Sequence, residues 1–162
     1  MSDLLLKMPL QYEPLKKNRW LLRFPADLGI QEWWCVSASR PQIRQEETEI
    51  PFLNTSTYVI GRYTFEAIQV VLRDSIGPST AQAVAEWIRL HSEVATGRQG
   101  YAAGYKRDVE LELLDPTGTV VQKWILKNCM ATSANGGDLS YDSNEIATIE
   151  LTLRFDYAIL CY

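Results

Sequence analysis

Apolar and polar residues alternate through much of the chain, a pattern that predicts a mainly β protein. In segment 106–114 every second residue from Val109 to Leu113 is apolar, and acidic residues lie between them. A period of two with one polar face is typical of a half-buried strand. The next four residues, Asp-Pro-Thr-Gly at 115–118, fit a type I turn, and an apolar segment follows over 120–130. We therefore predict a β-hairpin over 106–130.

Segment 145–157 also alternates, which predicts a strand with a core on one side and water on the other. Its apolar face consists of Ile149, Leu151, Leu153, Phe155 and Tyr157. Its polar face consists of Thr148, Glu150, Thr152, Arg154 and Asp156. Further strands are predicted over 19–24, 32–39, 57–62 and 63–73, because these segments are rich in aromatic and β-branched residues.

One segment has the spacing of a helix instead. Ser79 followed by Gln82 fits an N-terminal capping box, and apolar residues then recur at intervals of three and four. The stripe consists of Val84, Trp87, Ile88, His91 and Val94. We predict a single helix over 79–95 that flanks the sheets.

Two stretches lack either period. Residues 40–54 are polar at first, with glutamates at 46, 47 and 49, and then apolar at Ile50, Phe52 and Leu53. We predict that they belong to a long irregular excursion between strands, with the glutamates in a solvated loop. Residues 97–104 contain three glycines and are expected to form a mobile loop.

Composition narrows the class of protein. A length of 162 residues favours one domain, and a net charge of −4 argues against a protein that grips nucleic acid by its phosphates. The small basic cluster Lys16, Lys17, Arg19 and Arg23 is interpreted as a solvated strand face.

The cysteines and the apolar segments bear on compartment. Cys35, Cys129 and Cys161 lie far apart without a CxxC pair, which suits a reducing compartment and disfavours a metal site. No apolar stretch approaches the length of a membrane span, and the leucine-rich start is too short for a signal peptide. We expect a protein made and kept in the cytosol, with no membrane partner.

Candidate chemistry is sparse. His91 is the only histidine, and its place on the apolar stripe predicts a packed or interface side chain, not a catalytic base. The glycines of 97–104 lack the Gly-Lys-Ser/Thr of a phosphate loop. Asp138, Asp142 and Glu145 do not match the calcium-loop spacing and fit a polar turn. We therefore predict no catalytic, cofactor or metal site, and no enzyme.

Several stretches resemble the tail tube proteins of contractile-tailed bacteriophages. They are Ile-Pro-Phe-Leu-Asn at 50–54, Arg-Tyr-Thr-Phe at 62–65 followed by Val-Val-Leu-Arg-Asp at 70–74, and the closing segment Gly-Asp-Leu-Ser-Tyr-Asp-Ser-Asn-Glu-Ile at 137–146 with the strand at 149–157. The closing segment is the most specific, and the resemblance covers about residues 19–157. The glycine loop at 97–104 and the extra residues 158–162 depart from the family pattern.

The resemblance implies a fold and a role. Family members have two packed antiparallel sheets flanked by a helix, and six subunits close into a ring whose inner strands form one continuous barrel. Rings stack into a hollow tube of the virion tail, assembled in the host cytoplasm. The implied partners are further copies of the chain, a sheath protein, a tape measure protein in the lumen, baseplate and tail terminator proteins, and DNA in transient passage.

The resemblance also implies candidate contact residues. An N-terminal arm over 1–17 and the excursion over 40–58 resemble the parts that reach a neighbouring ring, within a single domain over 18–162. Candidates for ring stacking are Ile50, Pro51, Phe52, Leu53 and Asn54. Trp87 and His91 are candidates for a helix-face interface, and the wet face of the last strand, Glu150, Thr152, Arg154 and Asp156, for the pore lining or outer wall.

Two other interpretations stay open. The chain could be the tube of a phage-derived contractile injection particle or a type VI secretion ring protein, which share the fold. It could also be a monomeric small β-barrel with a binding or hydrolytic site, which would require a ligand pocket.

Overall fold

The computed structural model describes residues 9–162 and contains nine strands and two helices there. The strands are β1 (Trp20–Arg23), β2 (Cys35–Ala38), β3 (Ile43–Phe52), β4 (Thr55–Phe65), β5 (Ile68–Arg73), β6 (Arg107–Leu114), β7 (Val120–Asn135), β8 (Thr148–Arg154) and β9 (Tyr157–Leu160). The helices are α1 (Thr80–His91) and the single turn α2 (Ala102–Tyr105). Two 3₁₀ turns, Ala26–Leu28 and Glu32–Trp34, precede β2.

Seven strands form one antiparallel sheet in the order β1-β6-β7-β8-β5-β2, with β9 paired to β7. The sheet divides at β7, whose residues up to Cys129 pair with β6 and β9 and whose residues from Met130 onward pair with β8. Asn128 has a φ of 55° at this point, a conformation that asparagine adopts more readily than most residues. The two halves form two packed antiparallel sheets that share strand β7. The predicted mainly β fold with a flanking helix is therefore confirmed.

One apolar core lies between these halves. Its fully buried members include Trp34, Trp87, Leu22, Leu72, Leu126, Leu151 and Leu153. They come from both halves and from α1, which covers one side of the sheet through Val84 and Trp87. Burial of these side chains is the main favourable term in folding.

The hairpin predicted from alternation is confirmed as β6–β7. The Gly118 N–H donates to the Asp115 carbonyl at 3.1 Å, and an Asp115 carboxylate oxygen accepts from the N–H groups of Thr117 and Thr119. The Thr117 hydroxyl donates to the same oxygen, and together these bonds lower the pKa of Asp115 below its ordinary value. The residues that predicted the turn are the ones that stabilise it.

Helix α1 begins as predicted, because the Ser79 hydroxyl accepts from the Gln82 N–H at 3.3 Å. It ends at His91, four residues before the predicted end, and Val94 is 95% exposed. The chain turns there through hydrogen bonds from Gly97 N–H to the Glu93 carbonyl and from Glu93 N–H to the Arg98 carbonyl. Gly97 has a φ of 72°, which a continuing helix does not allow.

Other boundaries differ from the predictions. Residues 32–34 form a 3₁₀ turn before β2, and the segment 57–73 divides at Glu66, not at Arg62. The final strand breaks after Arg154, and residues 157–160 form β9 against β7. The extra residues at the end of the chain therefore extend the sheet.

Two predictions about the surface are wrong. Residues 43–52 of the supposed irregular excursion form strand β3, hydrogen-bonded to β4, so the excursion is a long hairpin that continues to Phe65. Glu112, predicted to face water, is only 4% exposed, and its Oε2 lies 3.4 Å from Nε of Arg23.

The arm predicted over 1–17 falls partly on residues 1–8, outside the described part, and positions 9–17 are exposed and form no strand or helix.

Candidate assembly surface

Hairpin β3–β4 forms its own two-stranded sheet, separate from the seven-stranded one. Every residue from Gln42 to Thr64 is exposed, which means that neither face of the hairpin is covered by the rest of the described subunit. An isolated two-stranded hairpin is marginally stable in water. Stable order of so long a hairpin therefore favours a partner surface.

The cross-strand pairs give the hairpin two different faces. Glu47 lies opposite Ile60 and Glu49 opposite Tyr58, so one face combines carboxylates with large apolar groups. The other face carries Ile50 opposite Thr57 and Phe52 opposite Thr55. Gly61 lies where the register shifts, and a Cβ at this position would lie 3.2 Å from the Glu46 carbonyl oxygen.

The tip of the hairpin is its most unusual feature. Leu53 and Asn54 connect the strands, and Leu53 has a φ of 52° with 89% of its surface exposed. The left-handed region costs a residue such as leucine roughly 1–2 kcal/mol, and turns that need it usually carry Gly or Asn. An exposed leucine in a strained tip is better suited to contact with another molecule than to stability of the free subunit.

The five candidates for ring stacking thus lie together at the distal end of the hairpin. Phe52 is 72% exposed and Ile50 is about half exposed, while Pro51 lies on the opposite face. Pro51 has no N–H and is tolerated because β3 is an edge strand. The sequence prediction missed the contribution of β4, whose exposed Tyr58, Val59 and Ile60 extend the apolar surface. Their run of adjacent apolar residues, without alternation, was the available signal.

The second candidate surface lies on β8. Glu150 and Arg154 are exposed and Thr152 is half-buried, while Asp156 lies just beyond the strand. Asp156 accepts a hydrogen bond from the Asn128 side-chain amide at 2.8 Å and lies 3.5 Å from the Lys106 ammonium group. The polar face predicted from the sequence is therefore present, with both signs of charge.

The two helix-face candidates, Trp87 and His91, differ in how deeply they are buried. Trp87 is 1% exposed, contacts Phe24 edge-to-face, and donates from its indole N–H to the Tyr105 carbonyl at 2.9 Å. His91 is half-buried, with Nε2 at 3.0 Å from the Ala131 carbonyl oxygen and Nδ1 at 3.2 Å from the Ser92 hydroxyl. The neutral ring satisfies both contacts, donating from Nε2 and accepting at Nδ1.

Nothing around His91 forms a nucleophile–base–acid arrangement in the described residues, since its two polar contacts are a carbonyl and a hydroxyl. In residues 9–162 no group of three or more His, Cys, Asp and Glu side chains could hold a metal ion. No helix in this part of the chain has the length and apolar character needed to cross a membrane.

The three cysteines are free thiols. Burial raises the pKa of Cys129 to about 12 and is the main reason that the pKa of Cys35 is also about 12. Cys161 is exposed.

The fold is that of tube and cap proteins of contractile injection systems. Over 99% of this chain and 98% of the other, it is similar to the tube-terminating cap of the anti-feeding prophage, with a TM-score of 0.73 and 22% identity. The sheath–tube complex of the extracellular contractile injection system PVC gives 0.72 and 20%, covering 93% of each chain. Hcp1 from Flavobacterium johnsoniae gives 0.54 and 10%, covering 88% of this chain and 94% of that one.

Comparison of the sequence with known protein families identifies the family of this chain. The family of the T4-like virus tail tube protein gp19 matches residues 54–159, and the chain belongs to this family. No curated protein sequence matches the chain. The matched region begins at the tip of the hairpin and includes β4 to β8 and most of β9.

Proposed function

We propose that this chain is the major tube subunit of a contractile phage tail, whose copies close into rings, of six subunits in the family pattern, that stack into a hollow tube. The observation that carries the proposal is hairpin β3–β4, which projects apolar side chains on both faces and has a strained, exposed leucine at its tip. Such a surface has a physical reason only if another molecule covers it.

The sheet favours copies of the same chain as the first partners. Strands β1, β2 and β9 each pair with one neighbour only, and free edge strands promote pairing with other chains unless they are closed off. A hairpin that docks on a different surface of the next copy makes a head-to-tail contact, which generates rings or stacked arrays. In this arrangement Ile50, Phe52 and Leu53 are the buried anchors.

The mixed-charge face of β8 is the proposed tube wall, lining the lumen or facing outward. Glu150 and Arg154 offer DNA no continuous row of cations, so phosphates passing a lumen of this kind would not be held. A sheath protein around the tube, a tape measure protein and later DNA inside it, and baseplate and terminator proteins at its ends complete the proposed assembly. The helix-face contact at Trp87 and His91 stays a prediction, and in the free subunit Trp87 already packs in the core.

The same surface serves a phage-derived injection particle equally well, and the similar structures from such particles give this second function a specific basis. Neighbouring genes distinguish the two. Head and portal genes indicate a phage tail, and effector genes indicate an injection particle.

The direct test is negative-stain microscopy and native mass of the purified protein over a range of concentrations up to the millimolar range. Rings or hollow rods of uniform diameter are expected, and they give the symmetry at once. A protein that stays strictly monomeric at every concentration, with a small ligand bound in one of its clefts, would refute the tube proposal in favour of the binding-domain interpretation.

A further inference from the structure

A second unpartnered surface lies where the end strands of the sheet approach each other. A cleft of about 450 Å³ opens there, with a floor of Leu111 and Leu113 from β6 and walls that include Trp20 of β1 and Ala38 of β2. Leu15 and three cations, Lys16, Lys17 and Arg40, complete its lining. The cleft is thus apolar at its base and basic at its rim.

The three cations of the rim have no carboxylate within 4.0 Å among residues 9–162. Their neighbours do have partners, since Arg19 pairs with Glu13 at 3.2 Å and Arg23 lies 3.5 Å from Glu32. The positive charge of the rim is therefore not neutralised within the described subunit. A partner for it must supply carboxylates next to apolar groups that fill the base.

The distal part of the β3–β4 hairpin has that composition. Between Gln45 and Gly61 the sequence contains Glu46, Glu47 and Glu49 and no lysine or arginine. None of these three glutamates is ion-paired within residues 9–162. Glu47 and Glu49 lie directly opposite Ile60 and Tyr58, so acidic and apolar groups share one face.

We propose that this acidic face of one copy's hairpin docks in the basic cleft of a second copy. Tyr58 and Ile60 would enter the apolar base, and Glu47 and Glu49 would pair with Lys16, Lys17 and Arg40 at the rim. The inference rests on the proposed function. It adds the surface that receives the hairpin, namely the cleft between β1 and β2. The chain's own hairpin does not fill its own cleft, because the hairpin is exposed and the cleft open in one and the same subunit.

The opposite hairpin face, with Ile50 and Phe52, and the Leu53 tip remain free for another contact. The charge pairs set the register of docking and speed encounter, while the apolar side chains supply most of the affinity. The contact joins two different surfaces, so each copy uses the acidic face of its hairpin once and its cleft once, and assembly continues from copy to copy.

Charge reversal tests the pairing directly. The hairpin-reversed variant carries Glu47→Lys and Glu49→Lys, and the cleft-reversed variant carries Lys16→Glu and Lys17→Glu. Glu86→Lys, on the exposed side of α1, is the control for a charge reversal away from the proposed contact. Assembly is measured by sedimentation velocity and microscopy at low salt, and thermal melting of each variant checks folding, which surface substitutions of this kind should preserve.

Each reversed variant alone should assemble at least about tenfold more weakly than wild type, because like charges meet at the contact. An equimolar mixture of the two should assemble again, since the reversed hairpin fits the reversed cleft and the two unchanged surfaces fit each other. A chain with all four substitutions should also assemble. The control should behave as wild type.

Other results overturn the inference in separable ways. If wild type assembles and both reversed variants assemble equally well, the docking is wrong and the tube function stands. If the variants fail but neither the mixture nor the fourfold variant recovers, the hairpin docks on a surface other than this cleft. If wild type stays monomeric at every concentration and binds a small ligand in one of its clefts, the tube proposal fails and the docking fails with it.

Discussion

Truncation of Phe52 should separate assembly from folding. Phe52 is 72% exposed in the free subunit and lies beside the hairpin tip, opposite Thr55. Because exposed substitutions usually change the free energy of unfolding by less than about 0.5 kcal/mol, Phe52→Ala should leave the melting temperature nearly unchanged. A loss of assembly without a loss of stability is the expected result.

The size of the assembly defect follows from the exposed surface. A buried phenylalanine covers roughly 150–250 Å², so truncation of this largely free ring removes on the order of 100 Å² of contact. At about 25 cal/mol per Å², the contact loses about 2.5 kcal/mol, or about 70-fold in its association constant. Each subunit contributes one such contact, so tube formation should shift to much higher protein concentration.

The assay is the critical concentration for tube formation, measured by sedimentation of assembled material. Val94→Ala is the matched control, because Val94 is similarly apolar and almost fully exposed but lies beyond α1, away from the hairpin. Tubes of normal length at wild-type concentration from Phe52→Ala would show that the hairpin tip is not a stacking anchor. A large drop in melting temperature would instead show that Phe52 packs within its own subunit.

Three further predictions concern the tip, the core and the thiols. Leu53→Asn should keep or raise the free energy of unfolding, by up to about 1 kcal/mol, since asparagine tolerates the left-handed φ, and should still weaken assembly; equal assembly by sedimentation would contradict this. Trp87→Phe should cost about 2–3 kcal/mol in urea denaturation, because it leaves the Tyr105 carbonyl without its donor and opens a cavity; a change below about 0.5 kcal/mol would count against the packing described. At pH 8 an aromatic disulfide reagent should label the exposed Cys161 rapidly and Cys129 far more slowly, because Cys129 is buried and a pKa of about 12 keeps it a thiol; the labelling rate of Cys129 should rise with pH as more of it becomes thiolate, and equal rates for the two thiols at pH 8 would refute the assignment.

Alternation predicted strands where one face is buried. Val109, Leu111 and Leu113 are in the core as expected, and so are Leu151 and Leu153. The apolar residues recur at every second position because only one face of each strand is buried. The Asp-Pro-Thr-Gly turn and the Ser79 cap were also predictable, because their stabilising hydrogen bonds are made within a few residues.

Strand β4 was predicted from its aromatic and β-branched residues, but β3 was not, because both faces of the hairpin are exposed. Strand β3 has three glutamates within four positions and no buried side chain, so it shows no alternation that a core would impose. It is held as a strand mainly by its hydrogen-bonded ladder with β4. The candidate residues at 50–54 lie at the exposed end of this hairpin, and their role in stacking stays a prediction. The apolar residues of β4 and the proposed receptor cleft depend on contacts that only the folded chain brings together.

The β class, the flanking helix, the tight turn and the region with the resemblance to tail tube proteins could all be predicted from the sequence, because they depend on residues close together in the chain. The break in the final strand, the burial of Glu112 beside Arg23, the projecting hairpin and the basic cleft between β1 and β2 became visible only in the folded chain. The physical reason is that pairing partners and exposure are set by segments far apart in sequence. Arg40 and Trp20 line one cleft only because β2 and β1 end the same sheet.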